Sequence, residues 1–448
     1  MRILFYFKEN RIRFLTLCFT VLFVLSSLLS AEAQVDLNDL FLQLNLESRF
    51  IEVSIVEDQK ITTLYGKNAE STLYPASITK VLSTIVALDH LNDRLDELVT
   101  VQPEDLAGLT AARASVAGFV VGETLSIREL LYGALLPSGA DATNVLARLI
   151  AGSTEDYIKL LNQKAHQIGM KNSQFVNVTG LYHEQHYSTA HDLNLLLAHA
   201  LENDTFVEMS STMRYTTQPN NRRRQGITLN HTIYTTARNQ QIELKYITGG
   251  KTGWIPQSGY NLSSYHQYYD KTILITTGDA YTPGSNLKDH EKIYQALLET
   301  SHEVVMIEPG QSLGYVPMDY VWGIDNVKLS LTQPLSVEVS VIVDKDNLNM
   351  NISHPDRLEA PLEANSEIGT VAIYHQDELL AERTILTSSA YQRSNLLYFL
   401  AIFVQFVLNH RLLITSIGGI LVLIILVGAL YSYMKRRQRR KGKRKWKL

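Results

Sequence analysis

Residues 74–88 read YPASITKVLSTIVAL. Ser77 and Lys80 stand three apart, and Ile78, Leu82, Ile85 and Val86 follow at helical spacing, which predicts an amphipathic helix over 77–91. Positions i and i+3 share a helix face, so the Lys80 amine is placed to reach the Ser77 hydroxyl. A neutral amine there takes the serine proton and makes a weak nucleophile useful. The start of a helix adds backbone N–H groups suited to an oxyanion. Alone the pattern is weak. Ser285/Lys288 and Ser432/Lys435 repeat it, and a helix cap beside a solvated lysine has the same letters.

Two further stretches change the odds. GGKTGW at 249–254 holds the chain's one Lys-Thr-Gly, in which a cation, a hydroxyl and a glycine-opened backbone suit a carboxylate. Ser138 lies between, in LPSGADA at 136–142. Ser-x-x-Lys, a middle serine element and Lys-Thr-Gly, in this order, are the signature set of penicillin-binding proteins and class A β-lactamases. The order here is Ser77/Lys80, Ser138, Lys251.

The chain resembles the low-molecular-mass penicillin-binding proteins, the serine-type D-Ala-D-Ala carboxypeptidases. The stretches that carry this are 74–88, LLYGALLPSGADATN (130–144), FVNVTGLYHEQHYSTAHDL (175–193), GGKTGWIPQSGYNL (249–262) and, for a second domain, APLEANSEIGTVAIY (360–374). The resemblance covers about 40–392. It implies an α+β transpeptidase-like fold, with helices flanking an antiparallel sheet and the site between sheet and helices. It implies Ser77 as the acylated nucleophile, Lys80 as its base and Ser138 as a proton relay. Lys251 and Thr252, with the opened backbone at Gly253, would hold the substrate carboxylate. The backbone N–H groups of Ser77 and Trp254 would form the oxyanion hole. A second ammonium at Lys251 is expected to favour a neutral Lys80. No cofactor and no metal are implied.

Ala140 departs from the family, which commonly has Asn two residues after the middle serine. Asn144 or Asp141 could compensate, although contacts that hold the loop are the simpler role for both. His183, His186 and His191 have spacing compatible with a metal site, but they fall in a family segment that binds none. Arg222 to Arg224 read as a solvated loop, and Tyr132 as core or cleft lining.

Outward from these motifs, the composition sets the frame. The 448 residues hold 41 Lys plus Arg and 45 Asp plus Glu, with 45% hydrophobic residues, enough for a core. The charges are segregated. Ten bases and no acid lie in the last 14 residues, which leaves 34–434 at about −16 and argues against a nucleic-acid partner. Residues 1–33 read as a signal peptide cleaved before Gln34, with a retained anchor as the alternative. The sole cysteine, Cys18, falls inside it, so the mature chain has neither disulfide nor thiol nucleophile. Residues 34–302 form the expected catalytic domain. Alternating strands such as 327–331 and 337–341 predict a small β-sandwich at 303–392. Residues 393–411 read as an interfacial juxtamembrane segment, the alternative being a helix buried against the ectodomain. Uncharged 412–434 is long enough to span a bilayer, and 435–448 is a basic tail, cytoplasmic by the positive-inside rule.

The expectation is a membrane-anchored, extracellular carboxypeptidase. It would remove the terminal D-alanine of peptidoglycan stem pentapeptides, and β-lactams would inhibit it. The alternatives are a β-lactamase, for which no Glu-x-x-Leu-Asn segment is found, and a non-catalytic homologue that binds wall peptide. Minor transpeptidation is not excluded.

Overall fold

The computed structural model describes residues 36–444, with side-chain surroundings as far as Arg437; the expected signal peptide, Cys18 and Gln34 lie outside them. The chain divides into two compact units. One ends at His302 and also takes in Ser340–Ile342. The other comprises Glu303–Val339 and Val343–Leu448.

The first unit is built on five antiparallel strands: β1 (Phe50–Glu57), β2 (Lys60–Lys67), β3 (Gly249–Ile255), β4 (Gly259–Tyr268) and β5 (Lys271–Ala280). Their order is β2-β1-β5-β4-β3. Central β5 reads KTILITT, and its Ile273, Leu274 and Ile275 are fully buried, as a strand covered on both faces requires. Asp58 and Gln59, both at positive φ, close the β1–β2 hairpin in the turn whose twist suits paired strands. β3 pairs with β4 alone, Lys251 opposite Ser263 and Gly253 opposite Asn261, so one side of its backbone is a sheet edge.

Helices cover this sheet. On Ser285–Glu299, His290 and Tyr294 meet Thr277 and Ser264 at 2.8 and 2.9 Å. Thr79–Leu91, Ile127–Leu135, Ala140–Ala151 and Thr154–Ile168 share one apolar core with Leu274 of β5. The Thr79–Leu91 helix is not amphipathic as expected. Every residue from Thr79 to Leu88 is buried, because neighbours pack on all its sides. It also begins two residues late, after a 3₁₀ turn at Ala76–Ile78.

The second unit is all-β before its C-terminal helices. Leu348–Ser353, Glu367–His375 and Glu378–Leu386 form one antiparallel sheet, and Gly314–Asp319 lies between Asn326–Leu329 and Leu358–Glu359 in another. Alternation sorts its faces, with Val327 and Leu329 buried and Lys328 exposed. The helix Asn395–Asn409 has no buried residue, contrary to the buried alternative, and is tied by Ser394 N–H to Tyr320 O at 2.7 Å. After His410 the chain continues as Arg411–Arg444. Its Arg411–Arg437 portion has mean hydropathy 2.7 and is wholly exposed, and it is the one helix among the described residues long and apolar enough to cross a membrane.

The start of the first unit is pinned by a buried carboxylate. Asp289 accepts from Ser48 N–H (2.8 Å), Ser48 Oγ–H (2.6 Å) and Glu47 N–H (3.2 Å). Asp289→Ala strips these donors of their partner and is expected to lower stability by about 2–4 kcal/mol in urea denaturation; an unchanged midpoint would refute the assignment.

Candidate active site

The site is centred on the tight turn that carries Ser77. Ala76 there holds φ +46°, a conformation that costs a non-glycine residue free energy. One step into the helix, Lys80 Nζ lies 3.1 Å from Ser77 Oγ and donates to the Thr179 carbonyl at 2.6 Å. Lys80 is 2% exposed. Burial pulls its pKa from 10.5 to about 7, against the opposing pull of the Asp141 carboxylate. The expected depression is present, with desolvation as its leading cause. Lys251 is likewise held well below the usual lysine range, by burial and then by the repulsion it shares with Lys80.

Two glycines let the backbone close on this turn. A Cβ at Gly253 would stand 2.7 Å from Pro75 O and 3.3 Å from Ser77 N. A Cβ at Gly180, which has φ +82°, would stand 1.8 Å from Ala76 O. Asn261 on β4 fastens the approach by donating to Tyr74 O at 2.7 Å. On β3, Thr252 Oγ–H donates to Thr232 Oγ at 2.7 Å, and Thr232 N–H reaches Leu136 O at 3.0 Å. His231 accepts from Ile233 N–H at Nδ1, so its Nε2–H is the donor to Gly250 O, 3.2 Å away. Burial, then Lys251, push this imidazole down to about 3 and keep it neutral. Trp254 is 53% exposed, its ring 6.0 Å from that of Tyr260.

Ser138 occupies the turn between Ile127–Leu135 and Ala140–Ala151. It has φ +63°, and its buried hydroxyl has no hydrogen-bond partner among the described residues. A strained residue with an unspent hydroxyl is an arrangement more often found where chemistry occurs than in a core.

The family described as D-alanyl-D-alanine carboxypeptidase matches residues 51–277, half the chain. The chain belongs to the D-alanyl-D-alanine carboxypeptidase family. Residues 303–393 match the C-terminal domain of penicillin-binding protein 5. DacF of Bacillus subtilis, a D-alanyl-D-alanine carboxypeptidase, is 24% identical over 352 residues, 77% of this chain and 87% of its own length. DacC of Escherichia coli, named likewise, is 28% identical over 333 residues, 71% and 78% of the two chains. Penicillin-binding protein 5 of Haemophilus influenzae shares the fold, with TM-score 0.51 and 19% identity over 78% of this chain and 98% of its own. A mutant Streptomyces K15 DD-transpeptidase gives TM-score 0.51 and 27% identity over 56% and 98%. This is a peptidase of the D-Ala-D-Ala carboxypeptidase class on a penicillin-binding-protein fold. The β-lactamase alternative is not favoured.

In this carboxypeptidase the fold gathers Ser77, Lys80, Lys251 and Gly253 about one turn, joins Thr252 to Thr232, and sets Ser138 three residues from Asp141. Neither Asp141 nor Asn144, the two candidates for making good Ala140, is free to do so. Asp141 accepts from the N–H groups of Ala117, Gly118 and Phe119 (2.8, 2.9 and 3.0 Å) and so holds a loop. Asn144 donates to Asp105 O at 2.9 Å. The three histidines have separate tasks: His186 contacts Thr79 Oγ at 2.8 Å, His191 contacts Glu52 at 3.1 Å, and His183 accepts from Gln185 N–H. Tyr132 is core, stacked on Tyr215 and donating to Glu208 at 2.8 Å. Arg222 and Arg224 are exposed, as a solvated loop requires, whereas Arg223 is only half-buried. It pairs with the fully buried Glu123 at 3.0 Å.

Sequence reasoning gave no role to Thr179, Gly180, His231 or Thr232, and read His186 only as one of three histidines at metal-compatible spacing. The 175–193 stretch was singled out whole, but a backbone carbonyl at position 179 has no side-chain signature.

A buried amine costs stability. In the folded chain Lys80 loses its proton near pH 7, in the unfolded chain near 10.5. Between those values the unfolded state binds more protons, so stability rises with pH. Lys80→Met removes this burden. Its melting temperature should exceed the wild type's by most at and below pH 7, with the gap shrinking toward pH 10. A gap independent of pH would show that Lys80 titrates as an ordinary lysine.

Proposed function

We propose that this carboxypeptidase removes the terminal D-alanine of peptidoglycan stem pentapeptides through an acyl-enzyme on Ser77. The observation that carries this is the Lys80 amine, dry, poised near neutrality and 3.1 Å from Ser77 Oγ. Ser77 Oγ attacks the carbonyl carbon of the penultimate D-alanine, and its proton passes to Lys80. The oxyanion is met by the N–H groups of Ser77 and Trp254. The tetrahedral intermediate collapses, the C–N bond breaks, and the departing amine receives the proton from Lys80 through Ser138. Water, deprotonated by the same base, then hydrolyses the ester. Lys251 and Thr252 hold the terminal carboxylate, whose charge favours a protonated Lys251. Gly253 allows β3 to stand close enough to Ser77 for these contacts. β3 has a strand neighbour on one side only, so its other edge is where an extended peptide would bind. β-Lactams acylate Ser77 by the same route.

The second part of the proposal is placement. The apolar Arg411–Arg437 helix supports a single-pass anchor. The basic tail then lies in the cytoplasm, the catalytic unit lies outside, and residues 393–411 rest in the membrane interface. Residues 34–302 act as the catalytic domain, and 303–392 follow it in the chain ahead of the membrane segment.

The test is D-alanine release from a peptide ending in D-Ala-D-Ala, with Ser77→Ala beside the wild type. Release by the wild type alone is expected, and no release from folded wild-type protein would refute the reading. Because the base is active when neutral, kcat/KM should rise with pH through an acid limb near pH 7. A rate that climbs only as an ordinary lysine titrates would contradict a base poised near neutrality.

A further inference from the structure

Three residues at the start of the nucleophile helix bond to one segment, 176–186. His186 Nδ1 accepts from Val176 N–H, so its Nε2–H is the donor to Thr79 Oγ, 2.8 Å away. Ser83 Oγ–H donates to Val178 O at 2.8 Å. Lys80 donates to Thr179 O at 2.6 Å. The Thr179 carbonyl belongs to the same peptide group as the Gly180 N–H. That N–H donates to Asn177 Oδ1 at 2.7 Å, as does Thr179 N–H at 3.1 Å. The Asn177 amide is itself locked by donating to Leu181 O at 2.9 Å. Asn177 therefore grips one end of the peptide group whose other end grips Lys80.

Among the described residues the hydrogen bonds of Lys80 are those to Ser77 Oγ and to Thr179 O. Ala140 has no polar side-chain atom, and the Ser138 hydroxyl has no partner among the described residues. We propose that Asn177 is the positioning residue for the general base, fixing the Thr179–Gly180 peptide so that its carbonyl takes a Lys80 N–H and turns the amine lone pair onto Ser77. This rests on the function proposed above. A neutral amine has two N–H bonds and one lone pair. Committing an N–H to a fixed carbonyl narrows where the lone pair points. Polarisation through the shared peptide group strengthens both of its hydrogen bonds. Misplacing a reacting group by about 1 Å costs on the order of 100-fold in rate.

The charged or titratable groups about Lys80 are Asp141 from Ala140–Ala151, Lys251 from β3 and His186 from the 176–186 segment. A carboxylate at 177 adds one negative charge to that set. The experiment uses the full chain in detergent, a fluorescent penicillin, and the rate of labelling per active site that finally labels. Wild type should label and Ser77→Ala should not. An unlabelled wild type overturns the function and this inference together. Asn177→Ala should label to the same final extent but 10- to 100-fold more slowly. Asn177→Asp keeps the acceptor for both N–H groups. It should recover the rate to within a few-fold and move the acid limb to higher pH, since the new charge favours protonated Lys80. Labelling of Asn177→Ala at the wild-type rate per site overturns the inference. If that variant does not fold, Asn177→Asp decides: a folded protein whose acid limb has not moved overturns it equally.

Discussion

The site depends on keeping one lysine dry. Lys80 is buried at the start of a helix that is itself buried on every side. Desolvation holds its amine near neutrality even though Asp141 pulls the other way. Exposing that amine would return a protonated lysine, unable to take a proton from Ser77. The packing of the helical layer is therefore part of the chemistry.

Closeness is the second constraint. β3 and the Gly180 turn both meet the nucleophile turn at distances a side chain would forbid. Hydrogen bonds donated by Asn261 and His231, and the one that Thr232 accepts from Thr252, tie the surrounding structure to β3 and the nucleophile turn. Strain at Ala76 and Ser138 is tolerated because the neighbouring structure leaves those residues no other conformation. Asp141 spends its charge on the loop 117–119 while also acting on Lys80, so one carboxylate serves shape and electrostatics together.

Much of this could be read from side chains. Ser77, Lys80 and Lys251 announce themselves by type and spacing, and strands such as 327–329 by alternation. The resemblance supplied the layers of the fold that periodicity alone did not. What stayed hidden has a physical reason. The anchor of Lys80 is a backbone carbonyl, and every residue has one. Asn177 reads as a turn residue until the peptide it holds is seen to be the peptide that holds Lys80. The Thr79–Leu91 helix reads as one-sided because polar residues interrupt its apolar spacing, whereas polar Thr79 and Ser83 are buried on hydrogen-bond partners. Arg223 looked like one charge in a run of three, and Glu123, its partner, lies a hundred residues away in sequence.

The most direct measurement is an NMR titration of Lys80 itself. Lysine Cε would be labelled with carbon-13 in the Ser77→Ala protein, and the resonance assigned by comparison with Lys80→Met. A midpoint near pH 7 is the predicted result. A midpoint near 10.5, the ordinary lysine value, would contradict the account.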